Sequence, residues 1–525
     1  MHLPSTIQRA LISVSDKTGL LPFAETLFKN GIEIISTGGT AKLLQEHDIP
    51  VTEISEFTGF PEMMEGRLKT LHPKVHGGIL GRRDLDSDIM HEHDIHDIDL
   101  VVVNLYPFES TVADPRCTFS HAIENIDIGG PTLLRAAAKN HSWVTVVVDP
   151  SDYQRILDDM ATHQGATSSE LRFELATKVF EHTAAYDGAI ANYFGAILPN
   201  GEKHDFPNTL SLQFKLDKTL RYGENPHQKA ALYLDKKPPT GTIASATLLQ
   251  GKPLSFNNIN DAEGALECVK QFDQPACVIV KHANPCGVAI SSDVLTAYQK
   301  AYACDPESSF GGIIAFNQIV DDKALKAIFD NQFVEVIIAP EFTEPALKLA
   351  ESKINLRLLT TGKLSIPSKI ISHDIKRIHG GILVQEFDQI LIKTSDLNFV
   401  SEQQPTASEV TDLIFAMKAA QYVKSNAIVL ARQGQTIGIG AGQMSRVFAL
   451  KIAQMRAKDA SFNTEDAVLA SDAFFPFRDS IDLAAKLGIK AIIQPSGSKR
   501  DEEVIQAANE HKMVLAFIAT RHFKH

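Results

Sequence analysis

Residues 10–40 read ALISVSDKTGLLPFAETLFKNGIEIISTGGT. An apolar run at 10–14 is broken by Ser15-Asp16-Lys17-Thr18-Gly19. Leu20, Phe23, Ala24 and Leu27 then recur with the spacing of one helical face, and Gly31 ends the pattern. A second short run at 32–35 leads into Ser36-Thr37-Gly38-Gly39-Thr40 and another helical pattern. Strand, loop, helix, repeated, is the rhythm of a parallel α/β sheet. Residues 100–105 and 143–149 are continuous, mostly apolar, valine-rich runs, as suits strands buried on both faces.

Working outward, a helical pattern at 170–198 carries Leu171, Leu175, Val179 and Phe180 on or near one face. The polar, broken stretch PNGEKHDFP at 199–207 follows. The domain boundary is expected there, giving domains 1–200 and 201–525. A chain of 525 residues exceeds one ordinary core of ~100–200 residues. The second domain has room for two lobes, with a break expected near 365–376 around Pro367. No short-period repeat is visible.

The net charge of -13 argues against a general binder of nucleic acid or membrane surfaces, which favours a basic face. The five cysteines are odd in number and none lies in a CxxC, so a reducing compartment is expected. No stretch approaches the ~20 apolar residues of a membrane span, and residues 1–10 do not resemble a targeting leader. The expected location is cytoplasmic.

In the first domain, Ser15-Asp16-Lys17 and Thr37-Gly38-Gly39-Thr40 each join a strand to a helix. Main-chain N–H groups at a helix start, with hydroxyls and a lysine, make an anion site. Neither loop has the spacing of a Walker A motif. Arg67, Lys69 and Thr70 add two cations and a hydroxyl, and Asn104 and Tyr106 leave the end of a buried strand. Asp127-Ile128-Gly129-Gly130-Pro131 opens a helix that ends near Lys139. His91, His93 and His96 lack the partners of a metal site, and no metal ligand set is expected.

In the second domain, Arg221-Tyr222 begins a polar recognition stretch. Residues 278–287, VIVKHANPCG, read as a strand running into a turn at Asn284-Pro285. Lys281 and His282 can serve one site only if the strand stops at Lys281, because neighbouring strand residues face opposite sides. Histidine is the side chain best suited to proton transfer near neutral pH. Ser308-Ser309-Phe310-Gly311-Gly312, Ser425-Asn426, the glycine-rich run 438–446 ending in Arg446, and Ser471–Asp479 complete the candidates. The last offers an aromatic slot for a flat heterocycle. A zinc deaminase is excluded, since His282-Ala283-Asn284 has asparagine where H-x-E needs glutamate, and no P-C-x-x-C follows.

Together SVSDKTG, STGGTAK, GRLKTLHP, NLYPF, DIGGPTLLRAAAKNH, LRYGENPHQ, KHANPCG, SSFGG, SNAI, IGAGQMSR, SDAFFPFRD and PSGS resemble, in order over nearly the whole chain, the bifunctional AICAR transformylase/IMP cyclohydrolase family. The resemblance implies a methylglyoxal-synthase-like first domain and a two-lobed, cytidine-deaminase-like second domain. It implies formyl transfer from 10-formyltetrahydrofolate to AICAR, then closure of FAICAR to IMP. Lys281, His282 and Asn426 would serve transfer, with Arg221, Tyr222, Gly311, Glu335, Arg446, Phe475 and Arg521 binding its substrates. Lys139 would lead ring closure with Lys69, Tyr106 and Asp127, while Ser15, Asp16, Lys17, Thr37, Gly38, Gly39, Thr40, Arg67, Thr70 and Asn104 bind phosphate and ribose. It further implies a homodimer with transformylase sites at the interface, and admits a structural potassium ion. The rival expectation is a phosphometabolite-binding protein on the same scaffold that performs no catalysis.

Overall fold

The structure is a computed structural model and describes residues 6–198, 201–364 and 373–525. The expected boundary at 199–200, and residues 365–372 of the expected break, lie outside the described residues. The chain divides into two compact units, Met1–Gln213 and Phe214–His525.

In the first unit five parallel strands, β1 (Arg9–Val14), β2 (Glu33–Ser36), β3 (Thr52–Glu53), β4 (Leu100–Asn104) and β5 (Thr145–Val147), are ordered β3-β2-β1-β4-β5. Leu11, Ile12, Leu100, Val101, Val102 and Val146 are buried, as befits strands covered on both faces. The strand order reverses between β1 and β4, and a doubly wound sheet opens its ligand crevice at such a switch. The helix Leu20–Lys29 buries Leu20, Phe23, Ala24 and Leu27, the face its spacing predicted.

The long helix Ser169–Gly195 is capped by the Ser168 side chain, which accepts the Leu171 N–H. Leu171, Leu175 and Val179 are buried, but Phe180, one residue and 100° further round, is exposed and lies under the Arg135 guanidinium. Residues 201–213 fold back on this helix. Asn192 donates to the Ser211 carbonyl at 2.7 Å and accepts its N–H at 2.8 Å, and Gln213 donates to the Glu181 carbonyl. These bonds carry the first unit as far as Gln213.

Lys178 of this helix bridges Asp149 and Asp152, at 2.8 and 2.7 Å. Burial raises the Asp149 pKa, but bonds from Lys178 and Ser151 outweigh it and pull the carboxyl down to about 2. A depressed carboxylate stabilises the fold above its unfolded pKa, and the gain is lost as pH falls through the folded value. Lys178→Met is expected to cost about 1 kcal/mol at pH 7, after discounting for solvent screening. The difference between variant and parent should disappear as urea titrations move from about pH 4 to pH 2.

The second unit contains a hairpin, β6 (Lys215–Leu220) with β7 (Ala230–Leu234), and a twelve-stranded sheet. One half of the sheet uses β8 (Thr247–Gln250), β9 (Ala276–Lys281), β10 (Asn284–Ile290), β11 (Gly312–Phe316), β12 (Val334–Ala339) and β13 (Arg357–Thr360). A second hairpin, β14 (His373–Ile378) with β15 (Gly381–Glu386), stands apart. The other half uses β16 (Asn398–Phe399), β17 (Ile428–Arg432), β18 (Gln435–Gly440), β19 (Val468–Ser471), β20 (Ala491–Pro495) and β21 (Val514–Ile518). The halves have the same topology. Each runs edge strand, helix, antiparallel hairpin, helix, then three parallel strands joined by helices, and the halves meet where β10 pairs antiparallel with β18.

This is an internal duplication, with a period far longer than that of a short repeat. Its markers keep one 151-residue offset: capping boxes at Ser255 and Thr406, carboxylates at Asp261 and Asp412, and left-handed turns starting at His282 and Gln433. On one face, helices Phe256–Val269 and Ala407–Ala420 share a hydrophobic core that spans both lobes. On the other face each lobe has its own core.

The strand before the candidate turn ends at Lys281, as shared use of Lys281 and His282 requires. The turn itself differs from expectation. It is His282-Ala283, with φ 53° and 57°, and Asn284-Pro285 already begin β10. Two residues at positive φ make the mirror-image turn whose twist suits a tight hairpin. Pro285 sits beside a register shift, where its missing N–H is tolerated. A Cβ on Gly287 would fall 2.0 Å from the Ala301 carbonyl oxygen. Gly287→Ala is expected to cost about 3 kcal/mol by forcing the hairpin away from its helix, read as a lower urea midpoint with unchanged slope.

Candidate active sites

In the first unit, Asn104 at the end of β4 reaches across the switch point. Its Oδ1 accepts the Ser15 N–H at 2.6 Å, the Ser15 hydroxyl at 2.8 Å and the Asp16 N–H at 2.9 Å, while its Nδ2 donates to the Asp16 carbonyl. Asn104 therefore shapes the first loop. The Lys17 ammonium turns inward onto the Val14 carbonyl and the Thr40 hydroxyl, and burial lowers its pKa. Thr37 shares a hydrogen bond with Ser13 at 2.8 Å, and Gly38-Gly39 begin the helix Gly38–Gln45.

Lys69 and Thr70 link two helix starts. The Lys69 Nζ lies 3.4 Å from where a Cβ on Gly38 would sit, and the Thr70 hydroxyl 2.8 Å from the same point on Gly129. Two N-terminal helix ends with a cation and a hydroxyl favour an anion. Asp127 stands just before the helix Gly129–Lys139. Burial raises its pKa, opposed by N–H groups of Gly130 and Tyr106, and its own N–H donates to the Tyr186 hydroxyl. The Tyr106 side chain is half exposed. Arg67 is drawn into an exposed ion pair with Glu124. Lys139 lies in the last turn of its helix, about 15 Å along the axis from the Gly129 end. Sequence reasoning missed Glu62, which pairs with Lys69 at 3.0 Å, and Tyr186; neither carries a motif.

In the second unit, one sheet edge gathers the hairpin turn and the ends of β18 and β19. Lys281 donates to the Phe310 and Gly311 carbonyls at 3.0 Å each. Gly311 has φ 67°, and a Cβ there would lie 3.1 Å from the Lys281 ammonium, so glycine serves both the turn and the approach. His282 is exposed, and among the described residues its imidazole makes no hydrogen bond. Asn284 joins the lobes, donating to the His282 carbonyl at 3.2 Å and accepting the Lys424 N–H at 3.0 Å. Asn426, two residues on, is held by the Gln443 carbonyl at 2.7 Å.

Asp472, fully buried, takes the Ser425 hydroxyl and faces Arg446 at 3.4 Å. Burial lowers the Arg446 pKa despite that partner. Arg446 and Arg521 converge on the Phe523 ring, at 5.6 and 4.3 Å. Two guanidiniums with one carboxylate leave net positive charge at this edge.

Glu335 accepts from Asn258 at 3.0 Å and faces Arg357, beside the start of the helix Phe256–Val269. Arg221 stacks on Tyr222, and Asn257 of that helix donates to the Glu224 carbonyl, which ties the two segments together. Phe475 lies apart from these. Its ring is fully buried in the second-lobe core, while Phe477 is exposed beneath Arg500. The Phe475 N–H donates to the Gln494 side chain at 3.1 Å, and its buried ring lines no aromatic slot. Sequence reasoning also missed Asp261 and Lys424, which carry no motif of their own.

Comparison with known proteins gives two profile matches, the second of which runs across the boundary between the units. An MGS-like domain profile matches residues 19–132, and the AICARFT/IMPCHase bienzyme profile matches 137–456. A solved structure entitled "Crystal structure of ForH" is 36% identical, covering 35% of this chain and 98% of that one; its TM-score of 0.31 supports no inference. No helix among the described residues is long and apolar enough to cross a membrane. With the bienzyme profile spanning well over half of its length, the chain belongs to the AICARFT/IMPCHase bienzyme family of purine biosynthesis.

Proposed function

We propose that the chain performs the last two steps of de novo IMP synthesis in the cytoplasm. The second unit moves the formyl group of 10-formyltetrahydrofolate to the 5-amino group of AICAR. The amine nitrogen bonds to the formyl carbon, the bond from that carbon to folate N10 breaks, and the amine's proton balances N10. No oxidant or reductant is needed. AICAR's amine is a weak nucleophile because ring and carboxamide draw off its lone pair, so a base at its proton and a positive group at the formyl oxygen both help.

His282 is the base. Lys281 supplies positive charge to the formyl oxygen or to the leaving N10, and Asn426 orients the reacting groups. Arg446 and Arg521 take the nucleotide's anionic end, with Arg221, Tyr222, Gly311 and Glu335 shaping the rest. A homodimer with transfer sites at the interface accords with the family.

The first unit closes FAICAR. The carboxamide nitrogen attacks the formyl carbon within the same molecule, and the formyl oxygen leaves as water. Proximity provides much of the acceleration. Asp127, Lys69 and Tyr106 serve proton transfer and charge, while Thr37, Gly38, Gly39 and Thr70 receive phosphate and ribose.

The supporting observation is the exposed His282, whose imidazole makes no hydrogen bond among the described residues, beside Lys281 on the edge that also carries Asn426. A protein that only binds phosphometabolites has no use for a free imidazole there. Purified protein given AICAR and 10-formyltetrahydrofolate should yield IMP and tetrahydrofolate; binding of both without product would sink the proposal.

A further inference from the structure

The duplicated lobes contain the same turn twice, with different chemistry. In the first lobe the turn is His282-Ala283, and in the second it is Gln433-Gly434. Both are left-handed, a conformation glycine accepts freely and histidine or alanine resists. Each turn has a carboxylate beneath it from the helix that precedes its hairpin. Asp261 accepts the Ala283 N–H at 2.7 Å. Asp412 accepts the N–H groups of Gln433 and Gly434 at 2.8 Å each.

We infer that Asp261 is the positioning residue of the formyl-transfer site, aiming His282 by gripping the main chain of its turn. This rests on the transfer reaction proposed above. Asp261 is half-buried, and its carboxylate accepts main-chain N–H groups of this turn. The His282 imidazole makes no hydrogen bond among the described residues, and the one carboxylate acting on it is that of Asp261, which also takes the main-chain N–H groups of the turn. The neighbouring carbonyl of His282 is fixed by Asn284, which ties the same turn to the Asn426 segment. Asp261 thus sets the position of His282 relative to both Lys281 and Asn426. Asp412 makes the matching grip under a turn with neither lysine nor histidine, and it provides an internal control.

Holding reacting groups in line is so sensitive that a misplacement of about 1 Å costs about 100-fold in rate. Asp261→Ala should therefore lower kcat for formyl transfer about 100-fold and change KM for AICAR by less than about threefold. Asp261→Asn keeps one acceptor oxygen and should recover to within about tenfold of the parent. FAICAR cyclisation, assayed separately, should be unchanged in both. Asp412→Ala should leave the transfer kcat within about threefold of the parent.

Hydrogen–deuterium exchange locates each effect. The peptide spanning residues 278–290 should exchange faster only in the Asp261 variants, and that spanning 428–438 only in Asp412→Ala. Undiminished kcat in Asp261→Ala, or an equal loss in Asp412→Ala, would overturn the positioning role. A parent protein that makes no FAICAR would instead overturn the transfer reaction, and the role with it. If Asp261→Ala does not fold, the Asn variant decides: parental kcat with faster exchange at 278–290 overturns the inference, and reduced kcat with intact cyclisation upholds it.

Discussion

His282→Ala should lose at least about 1000-fold in formyl transfer, in the range that removal of a general base produces, while cyclisation of added FAICAR continues at the parental rate. The imidazole is exposed and makes no hydrogen bond among the described residues, so its removal leaves no buried group unsatisfied and should not unfold the lobe. The turn is held through the main chain by Asp261 and Asn284, both untouched by the change. KM for AICAR should move little, because the arginines near Phe523 remain. Loss of both half-reactions in a folded variant would refute two separate centres. Retention of transfer would remove His282 from the mechanism.

Asp127→Asn is expected to do the reverse, lowering cyclisation by about 100-fold or more with transfer intact. The carboxyl sits at the start of the helix Gly129–Lys139, buried enough to raise its pKa although it accepts N–H groups from Gly130 and Tyr106. If it acts as a base, the rate falls as pH drops through that raised value, above the usual carboxylate range near ~3.9. The acidic limb of the cyclisation profile should thus lie at higher pH than for an ordinary aspartate and vanish in the asparagine variant. An acidic limb that survives unchanged would assign it to another group.

Much of the first unit was legible because its strands are buried on both faces and its helix shows a clean period. Leu20, Phe23, Ala24 and Leu27 mark one stripe, and Gly31 its end. Candidate site residues were legible where they lay at strand ends, as Asn104 and Lys281 do. Tertiary geometry was not. Sequence spacing did not show that Asp127 and Lys139 lie at opposite ends of one helix. The stretch 471–479 offered an aromatic slot, but the ring of Phe475 lies in the second-lobe core.

The duplication was hidden for a related reason. Its fixed points are a cap, a carboxylate and a turn, residues that satisfy backbone groups and can be met by Ser or Thr, or by His-Ala or Gln-Gly. The apolar residues between them need only volume and period, and so they drift.

The shared core of the two lobes governs how this unit can be handled and how it is born. Cutting the chain between the lobes would bare the long edges of β10 and β18, along with half of a common apolar face. Either fragment would be an aggregation hazard. On the ribosome the first lobe emerges with its partner surface still unmade, and it must stay safe until residues beyond 428 appear. Synthesis therefore places a time limit on this half of the molecule: the first lobe is complete only when the last strands arrive.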